Sequence, residues 1–327
     1  MVDINKLREI AAEVISRDDV RELIGYRPGT YGFRARPAFV TGPEEVDRLI
    51  FTPACVNNLA TYITLEEKLP VPRGQEPDTR KVAVMVKGCD SRALVQQMEE
   101  KAYGRDQVVV LGIPCTGVVD MARVEARFPG VLELGEIALE GGKFVLSFDG
   151  KVEEVPKDEL LADKCARCRY PTPLVYDQLL DDEVARFADD DYSDIEALEK
   201  RSMEDKWGYW EEKFSRCIRC YSCRNVCPMC YCEDCVLDRI NPTWMRRSVD
   251  ISENTAFHIA RAYHLAGRCI QCGECQRVCP AKIPLMELNR KFYKDVGELY
   301  DYEPGTNVEA APLLATFSVE DREDFIL

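Results

Sequence analysis

The sequence predicts an α/β amino-terminal domain with a mostly parallel sheet, followed by a helical carboxyl-terminal domain built around cysteine. Two apolar runs near residue 100 are each followed by a polar turn and a helical stretch, the pattern of parallel strands joined by helices. Further along, one spacing of four cysteines and a proline occurs twice, with a helical stretch between the copies. We expect domains at 1–175 and 207–296, an acidic helical connector at 176–206 and an extended arm at 297–327.

The composition alone disfavours some classes of function and favours others. The formal charge of −15 disfavours nucleic acid as a partner, because phosphates require a basic surface. No apolar run is long enough to predict a membrane span, and the amino terminus reads as an amphipathic helix, so we expect a cytoplasmic protein. The two histidines, His258 and His264, are expected to be packed side chains, whereas 16 cysteines indicate electron transfer.

The first eighty residues predict helices and loops. Apolar residues recur at helical spacing from Ile4, and we expect a helical stretch over Ile4–Ile24. A loop rich in Gly, Pro and aromatic residues is expected at Gly25–Gly32 and a second helix at Glu44–Ile50. Cys55 follows in a setting that is typical of a small buried thiol.

The α/β pattern begins at residue 81. Strands are predicted at Lys81–Val86 and Val108–Ile113, each followed by a helix, at Ala93–Tyr103 and Val118–Arg127 respectively. Ligands of such sheets gather at the carboxyl ends of the strands, where Cys89 and Cys115 are expected.

Two segments complete the first half of the chain. Residues 131–155 predict a small antiparallel sheet, with turns at Gly141-Gly142 and Asp149-Gly150. Residues 176–206 contain twelve acidic and four basic side chains, which predicts a solvated connector.

The repeated motif has the form Cys-x2-Cys-x2-Cys-x3-Cys-Pro. This spacing is typical of two-cluster ferredoxins, in which three thiolates bind one four-iron cluster and the fourth cysteine binds the other. The first predicted cluster is held by Cys217, Cys220, Cys223 and Cys279, and the second by Cys269, Cys272, Cys275 and Cys227. Disulfides fit a reducing cytosol poorly, and a tetrahedral zinc site has no use for the third closely spaced cysteine.

Eight further cysteines lie outside the two motifs. Cys89, Cys115, Cys165 and Cys168 form a candidate third cluster at the sheet edge, the alternative being packed thiols with a zinc-binding or empty Cys-x2-Cys pair. Cys55, Cys230, Cys232 and Cys235 form a candidate fourth cluster, or a structural zinc site, or a set that holds nothing.

The turn after the first predicted strand is a candidate phosphate site. A flavin phosphate could bind where a helix begins, and the residues concerned are Lys87, Gly88, Asp90, Ser91 and Arg92. No G-x-G-x-x-G motif is present to support a dinucleotide.

The motifs resemble two known families. The 41 residues from Pro228 to Arg268 make the second domain look like the helical ferredoxin domain of heterodisulfide reductase and succinate dehydrogenase iron–sulfur subunits. Residues 80–180, with Gly112-Ile113-Pro114-Cys115 and the Cys165/Cys168 pair, resemble the beta subunits of hydrogenases and dehydrogenases that act on the deazaflavin coenzyme F-420, including formate dehydrogenases. The resemblance implies four-iron clusters, often FAD, and a larger catalytic partner. The carboxyl-terminal position of the dicluster domain and the Cys230 group depart from that pattern.

We therefore expect an iron–sulfur electron-transfer subunit of a cytoplasmic, anaerobic oxidoreductase complex of the hydrogenase, formate dehydrogenase or heterodisulfide reductase type. One alternative is a flavin-dependent oxidoreductase subunit that reacts directly with F-420, NAD(P)H or ferredoxin. Another is a scaffold whose clusters serve only to hold the fold.

Overall fold

The computed structural model describes residues 2–66, 71, 73–74, 76–186, 190–317 and 319, which form two compact units. The first unit comprises Met1–Arg92 and Tyr103–Asp191, and the second comprises Ala93–Ala102 and Tyr192–Leu327. A short segment from the first half of the sequence therefore groups with the cysteine motifs.

Among its described residues, the first unit has two sheets and six α-helices. Its elements in chain order are α1 (Ile4–Ile15), β1 (Val20–Pro28), β2 (Ala35–Val40), α2 (Ala60–Glu66), β3 (Lys81–Val86), α3 (Gly88–Glu99), β4 (Val108–Gly112), α4 (Met121–Arg127), β5 (Glu136–Glu140), β6 (Lys143–Phe148), β7 (Lys151–Pro156), α5 (Lys157–Leu160), α6 (Asp163–Ala166) and β8 (Gln178–Leu179). The last residues of α3 belong to the second unit.

The main sheet has five strands in the order β2-β1-β3-β4-β8. Strand β2 runs antiparallel to β1, and the remaining neighbours are parallel. The predicted α/β class with a mostly parallel sheet is confirmed, and both predicted strands are present as β3 and β4.

The prediction of one helical stretch over Ile4–Ile24 is wrong in its second half. Helix α1 ends at Ile15, and β1 begins at Val20 and continues into the expected loop as far as Pro28. Strand β1 lies between β2 and β3 and is buried on both faces, so its apolar residues do not alternate as they would in a half-exposed strand. Gly25 fits here because a Cβ would approach Leu49 and Met85 to 2.7 Å.

Other predicted boundaries shift by a few residues. The helix expected at Glu44–Ile50 is a 3-10 helix at Pro43–Arg48. Helix α3 begins earlier than predicted, and α4 begins at Met121 because Asp120 caps it by accepting hydrogen bonds from the backbone of Ala122 and Arg123.

The predicted antiparallel sheet is confirmed as β5-β6-β7. Both expected turns have two consecutive residues with positive φ, as type I′ hairpin turns require. Phe144 and Leu146 of β6 are fully buried in a core that also contains Val118 and Cys165. This packing connects the small sheet with the loops that carry two of the predicted ligands.

The second unit is helical. Its helices are α7 (Ser193–Glu199), α8 (Met203–Ser215), α9 (Ser222–Asn225), α10 (Ile251–His264), α11 (Glu274–Arg277) and α12 (Leu285–Tyr300). The helix expected before the second motif is α10, and Asp250 caps it by accepting from the backbone of Glu253. The core includes Phe214, Phe257 and Leu288 together with Cys223 and Cys275.

The expected connector and arm are less uniform than predicted. Between 176 and 206 the chain forms β8, α7 and the start of α8, while residues 187–189 lie outside the described part. In the expected arm, α12 continues to Tyr300 and a 3-10 helix spans Leu313–Ala315; residues 318 and 320–327 are not described. Among the described residues no helix combines the length and the apolar character needed to cross a bilayer.

Candidate metal centres

The two cysteine motifs share one local backbone conformation. The second and fourth residues after the first cysteine are left-handed, with φ of 54° and 59° at Arg219 and Tyr221 and of 57° and 71° at Gln271 and Gly273. A one-turn helix that carries the third cysteine follows in each copy, α9 and α11. Left-handed backbone costs on the order of 1–3 kcal/mol for a residue other than glycine, and such strain clusters at functional sites.

The four cysteines predicted for the first cluster interact with one another. Burial raises the pKa of the Cys223 thiol to about 11, with Cys217, Cys279 and Cys220 adding to the rise while Arg261 opposes it. Burial also raises the pKa of Cys217, and Cys279 and Cys220 again contribute. A cysteine of the second motif thus lies beside three of the first, as the crossed assignment requires.

The four cysteines predicted for the second cluster line one cavity. Cys227, Cys269, Cys272 and Cys275 surround an empty volume of about 300 Å³, which includes the open mouth. Burial raises the pKa of the Cys269 and Cys275 thiols to about 12, and the neighbouring Cys227 adds to the rise in both. Four soft sulfur donors around one partly enclosed space fit a four-iron cluster.

A site for a single metal ion has a different geometry. In the part of the chain that the structure describes, no three His, Cys, Asp or Glu side chains are arranged for one ion. A four-iron cluster binds one thiolate at each corner of a larger body, so its ligands stand farther apart.

Hydrogen-bond donors face several of these sulfurs. The backbone amides of Arg219 and Ile283 donate to the Sγ atoms of Cys217 and Cys279, each at 3.4 Å. The side-chain amide of Asn289 donates to Cys275 Sγ at 3.5 Å. Such donors stabilise negative charge on sulfur and tune the potential of a bound cluster.

The short cysteine group after the first motif begins next to a predicted ligand. The backbone amide of Cys230 donates to the Cys227 carbonyl at 3.0 Å, and the interaction between the two thiols lowers the pKa of Cys227 and raises that of Cys230. Cys232 is exposed and Cys235 is half-buried. Cys230 thus supports a ligand of the second set.

Cys55 belongs to the first unit, whereas its three predicted partners belong to the second. Its side chain is fully buried, and burial raises the pKa of the thiol to about 11. The backbone amide of Thr52 donates to its Sγ at 3.3 Å. Cys55 therefore has the surroundings of a packed thiol, as the sequence around it also predicts.

The four cysteines predicted for the third cluster lie together in the first unit. Burial raises the pKa of the Cys115 thiol to about 12, with Cys165 and Cys168 contributing to the rise and Lys87 opposing it. Burial likewise raises the pKa of Cys89, and Cys115 adds to that rise. The start of α3, which follows β3, and the loop after β4 therefore bring Cys89 and Cys115 to the Cys-x2-Cys pair.

Backbone amides face this set as well. Gly117 donates to Cys115 Sγ and Val118 donates to Cys165 Sγ, each at 3.4 Å. The third set therefore shares with the first two both the proximity of its thiols and the donors directed at sulfur.

The turn predicted to hold a flavin phosphate is internal. Lys87 is 1% exposed, and its Nζ lies 2.9 Å from Asp90 Oδ2. The same ammonium donates to the carbonyl of Asn57 at 2.9 Å and to the hydroxyl of Tyr26. The lysine charge is thus neutralised within the protein.

The rest of that turn is similarly engaged. Ser91 Oγ donates to the Gly88 carbonyl at 2.8 Å and accepts from the Leu174 amide at 2.9 Å. The Arg92 guanidinium lies 4.8 Å from the centroid of the Tyr170 ring. These side chains are committed to internal contacts, so the turn does not offer an open cradle for a phosphate.

Three residues near the motifs escaped the sequence interpretation: Arg261, Arg268 and Glu100. Arg261 lies four residues after Phe257 and four before Leu265, and all three are buried. Residues four apart lie on the same face of a helix. The position of Arg261 between two apolar residues on one face could therefore have identified it as a buried arginine. No pattern in the sequence predicts the pairing of Glu100 with Arg268, which are 168 residues apart.

Comparison with known proteins identifies a matching domain family and related chains. Residues 185–283 match the family of the 4Fe-4S dicluster domain. The chain is 23% identical to the F420-dependent formate dehydrogenase subunit beta of Methanocaldococcus jannaschii, over 74% of this chain and 77% of that protein. It is also 23% identical to the F420-dependent formate dehydrogenase 1 subunit beta of Methanococcus maripaludis, over 92% of this chain and 90% of that protein.

A solved structure is also similar in part. A chain of the xenon-derivatised F420-reducing [NiFe] hydrogenase complex from Methanosarcina barkeri aligns with 53% of this chain at 16% identity. The alignment covers 59% of that chain with a TM-score of 0.38, which is too low to show a shared overall fold. The predicted resemblance to the F-420 beta subunits is confirmed by the two sequence relatives.

Proposed function

We propose that this chain, which is similar to the beta subunits of F420-dependent formate dehydrogenases and carries a 4Fe-4S dicluster domain, is the iron–sulfur electron-transfer subunit of an oxidoreductase complex. The complex is of the hydrogenase, formate dehydrogenase or heterodisulfide reductase type, is anaerobic and is located in the cytoplasm.

The observation that carries this proposal is the interlocking of the two cysteine sets in the second unit. Cys279 interacts with Cys217 and Cys223 of the first motif, and Cys227 lines a cavity with the cysteines of the second. This supports an arrangement in which each motif would contribute one ligand to the other site, as in two neighbouring clusters rather than two independent metal sites.

In this proposal the cysteines and the amides that face them have different roles. A bound four-iron cluster supplies one-electron chemistry, accepting and releasing a single electron. The cysteine thiolates would hold the clusters, and the amides that face Cys217, Cys275 and Cys279 would stabilise the negative charge on their sulfurs. The scarcity of histidine fits a relay that transfers electrons without proton abstraction.

A third cluster in the first unit is part of the proposal. Its support is the mutual interaction of Cys115 with Cys165 and Cys168, together with the proximity of Cys89. Cys55, Cys230, Cys232 and Cys235 are left outside it, because Cys55 has the surroundings of a packed thiol and the Cys230 thiol interacts with Cys227.

The proposal assigns no flavin phosphate to the Lys87 turn. The Lys87 ammonium is paired with Asp90 and the Ser91 hydroxyl is bonded to backbone groups, so a phosphate would have to displace existing contacts. A flavin-dependent subunit thus remains the second candidate, resting on the resemblance alone.

The proposed partner is the catalytic subunit of the complex. The formal charge of −15 would favour association with a basic surface, because complementary charge orients and accelerates protein encounter.

Iron and flavin content of anaerobically purified full-length chain tests this function. From four irons per cluster, about 12 iron atoms per chain are expected. A content of about 8 would restrict clusters to the second unit, and about 16 would add the fourth set. Iron well below about 8 would contradict the dicluster proposal, clusters that resist chemical reduction would favour the scaffold, and flavin near one per chain would favour the flavin-dependent alternative.

A further inference from the structure

Arg261 is a buried cation beside the second cysteine set. It lies on α10 with 4% of its surface exposed. Its side chain lines the cavity of Cys227, Cys269, Cys272 and Cys275. One guanidinium nitrogen, Nη2, donates to the backbone carbonyl of Cys223 at 2.9 Å, so the residue also contacts the first motif.

In the part of the chain that the structure describes, no carboxylate neutralises this guanidinium. Among the described residues Arg261 forms no ion pair with an acidic side chain, and its buried Nε has no hydrogen-bond partner. Burial lowers the pKa of this guanidinium, whereas the neighbouring sulfurs of Cys227, Cys230, Cys275 and Cys223, as thiolates, raise it. By contrast, the nearby Arg268 is paired with Glu100.

An unpaired buried cation is costly unless an anion compensates it. Four thiolates bound to a cluster provide negative charge at the cavity that Arg261 lines, and reduction of the cluster adds one more electron. A fixed positive charge stabilises the reduced form more than the oxidised form, and therefore raises the reduction potential. Net charge and hydrogen bonding to sulfur are the known determinants of that potential.

We propose that Arg261 raises the reduction potential of the cluster held by Cys227, Cys269, Cys272 and Cys275, and does so more than for the neighbouring cluster. The effect on the second cluster is larger because Arg261 lines the cavity of that cluster. Its hydrogen bond to the first motif goes to the backbone carbonyl of Cys223, not to a sulfur. This inference rests on the proposed function, since it requires both clusters.

The test is an anaerobic redox titration of the full chain, followed by electron paramagnetic resonance. The Cys220→Ser variant identifies the titration step of the first cluster, and iron content is measured for every variant. In Arg261→Gln we expect the ratio of reduced to oxidised second cluster to fall at least tenfold at a fixed ambient potential. For a one-electron couple this is a downward shift of about 59 mV.

Two further variants separate the charge at this site from other effects. Arg261→Lys places another cation beside the negatively charged cluster, which favours its protonated form, so its ratio should stay within about twofold of the wild type. Arg246→Gln removes an arginine whose side chain is 83% exposed, and solvent screening should leave both steps unchanged.

Several results would overturn the inference. These are an unchanged second step in Arg261→Gln, equal shifts of both steps, or a tenfold fall in Arg261→Lys. If Arg261→Gln does not retain its iron, Arg261→Met, which also removes the charge but keeps a long flexible side chain, is judged by the same tenfold criterion. A wild-type chain that holds fewer than about 8 irons would instead contradict the proposed function, before any variant is compared.

Discussion

Arg268 and Glu100 form a largely buried ion pair in the second unit, with Arg268 Nε donating to Glu100 Oε1 at 2.7 Å. A second bond joins Arg268 Nη2 to the other carboxylate oxygen, and the two side chains are only 15% and 11% exposed. The hydroxyl of Tyr231 donates to the same carboxylate. Residues next to both motifs are thus tied to the segment Ala93–Ala102, which comes from the first half of the sequence.

Replacing Glu100 with Gln should destabilise the protein, because it leaves the Arg268 cation buried without its counter-charge. We expect the free energy of unfolding to fall by about 3 kcal/mol, measured by anaerobic chemical denaturation of the full chain. Glu298→Gln is the matched control, since its pair with Lys294 leaves the Glu298 side chain 60% exposed; a loss below about 1 kcal/mol is expected. Equal losses in the two variants would show that burial of the pair is unimportant.

Gly88→Ala should disturb the third cysteine set. A Cβ at Gly88 would lie 1.6 Å from the backbone oxygen of Tyr170, so the start of α3 must move, and with it Cys89. We expect the iron content to fall by about four atoms per chain. Gly208→Ala is the control: a Cβ there meets no atom within 4 Å, and alanine within α8 should add roughly 0.5–1 kcal/mol of stability. Full iron in Gly88→Ala would mean that this close contact does not position Cys89.

His258 should make stability depend on pH. Its ring stacks on Phe214 with centroids 4.7 Å apart, and burial lowers the pKa of the imidazole to about 3, with Arg261 and Arg219 lowering it further. An unfolded histidine titrates near about 6.5. Below that pH the unfolded state binds a proton that the folded state excludes, so stability decreases as pH falls through the range from about 6.5 to about 3.

The size of this effect can be measured by denaturation at two pH values. Between about pH 6.5 and 5.5 the His258 contribution should fall by about 1 kcal/mol, and His258→Phe should remove that part of the pH dependence. His264→Gln is the control, because this second histidine is exposed at the end of α10. An unaltered pH dependence in His258→Phe would show that the buried imidazole is not the source.

Two cysteine variants distinguish the third set from the group after the first motif. Cys165→Ser should lower the iron content by about four atoms per chain, because Cys165 interacts with Cys115 in the third set. Cys235→Ser should retain the wild-type iron content. Loss of about four irons in Cys235→Ser would establish the fourth cluster, while loss of zinc would identify a structural zinc site.

The sequence alone determined those features that depend on residues close together in the chain. The spacing of Cys217 to Cys227 and of Cys269 to Cys279 predicts two sites that exchange one ligand, because ligation fixes which cysteines a short loop can present to one cluster. The sequence also predicted strands β3 and β4, because a strand buried on both faces has a continuous apolar run. It predicted the turns of the small sheet, because positive φ favours Gly and Asp at adjacent positions.

Only the tertiary structure decided what depends on residues distant in the chain. It groups Ala93–Ala102 with the second unit, buries the Lys87 turn that was a candidate phosphate site, and places the end of a predicted helix in the interior strand β1. It also pairs Arg268 with Glu100, whereas Arg261 contacts no carboxylate among the residues that the structure describes. The physical reason is that the state of a charged side chain depends on which groups surround it after packing, and periodicity along the chain does not contain that information.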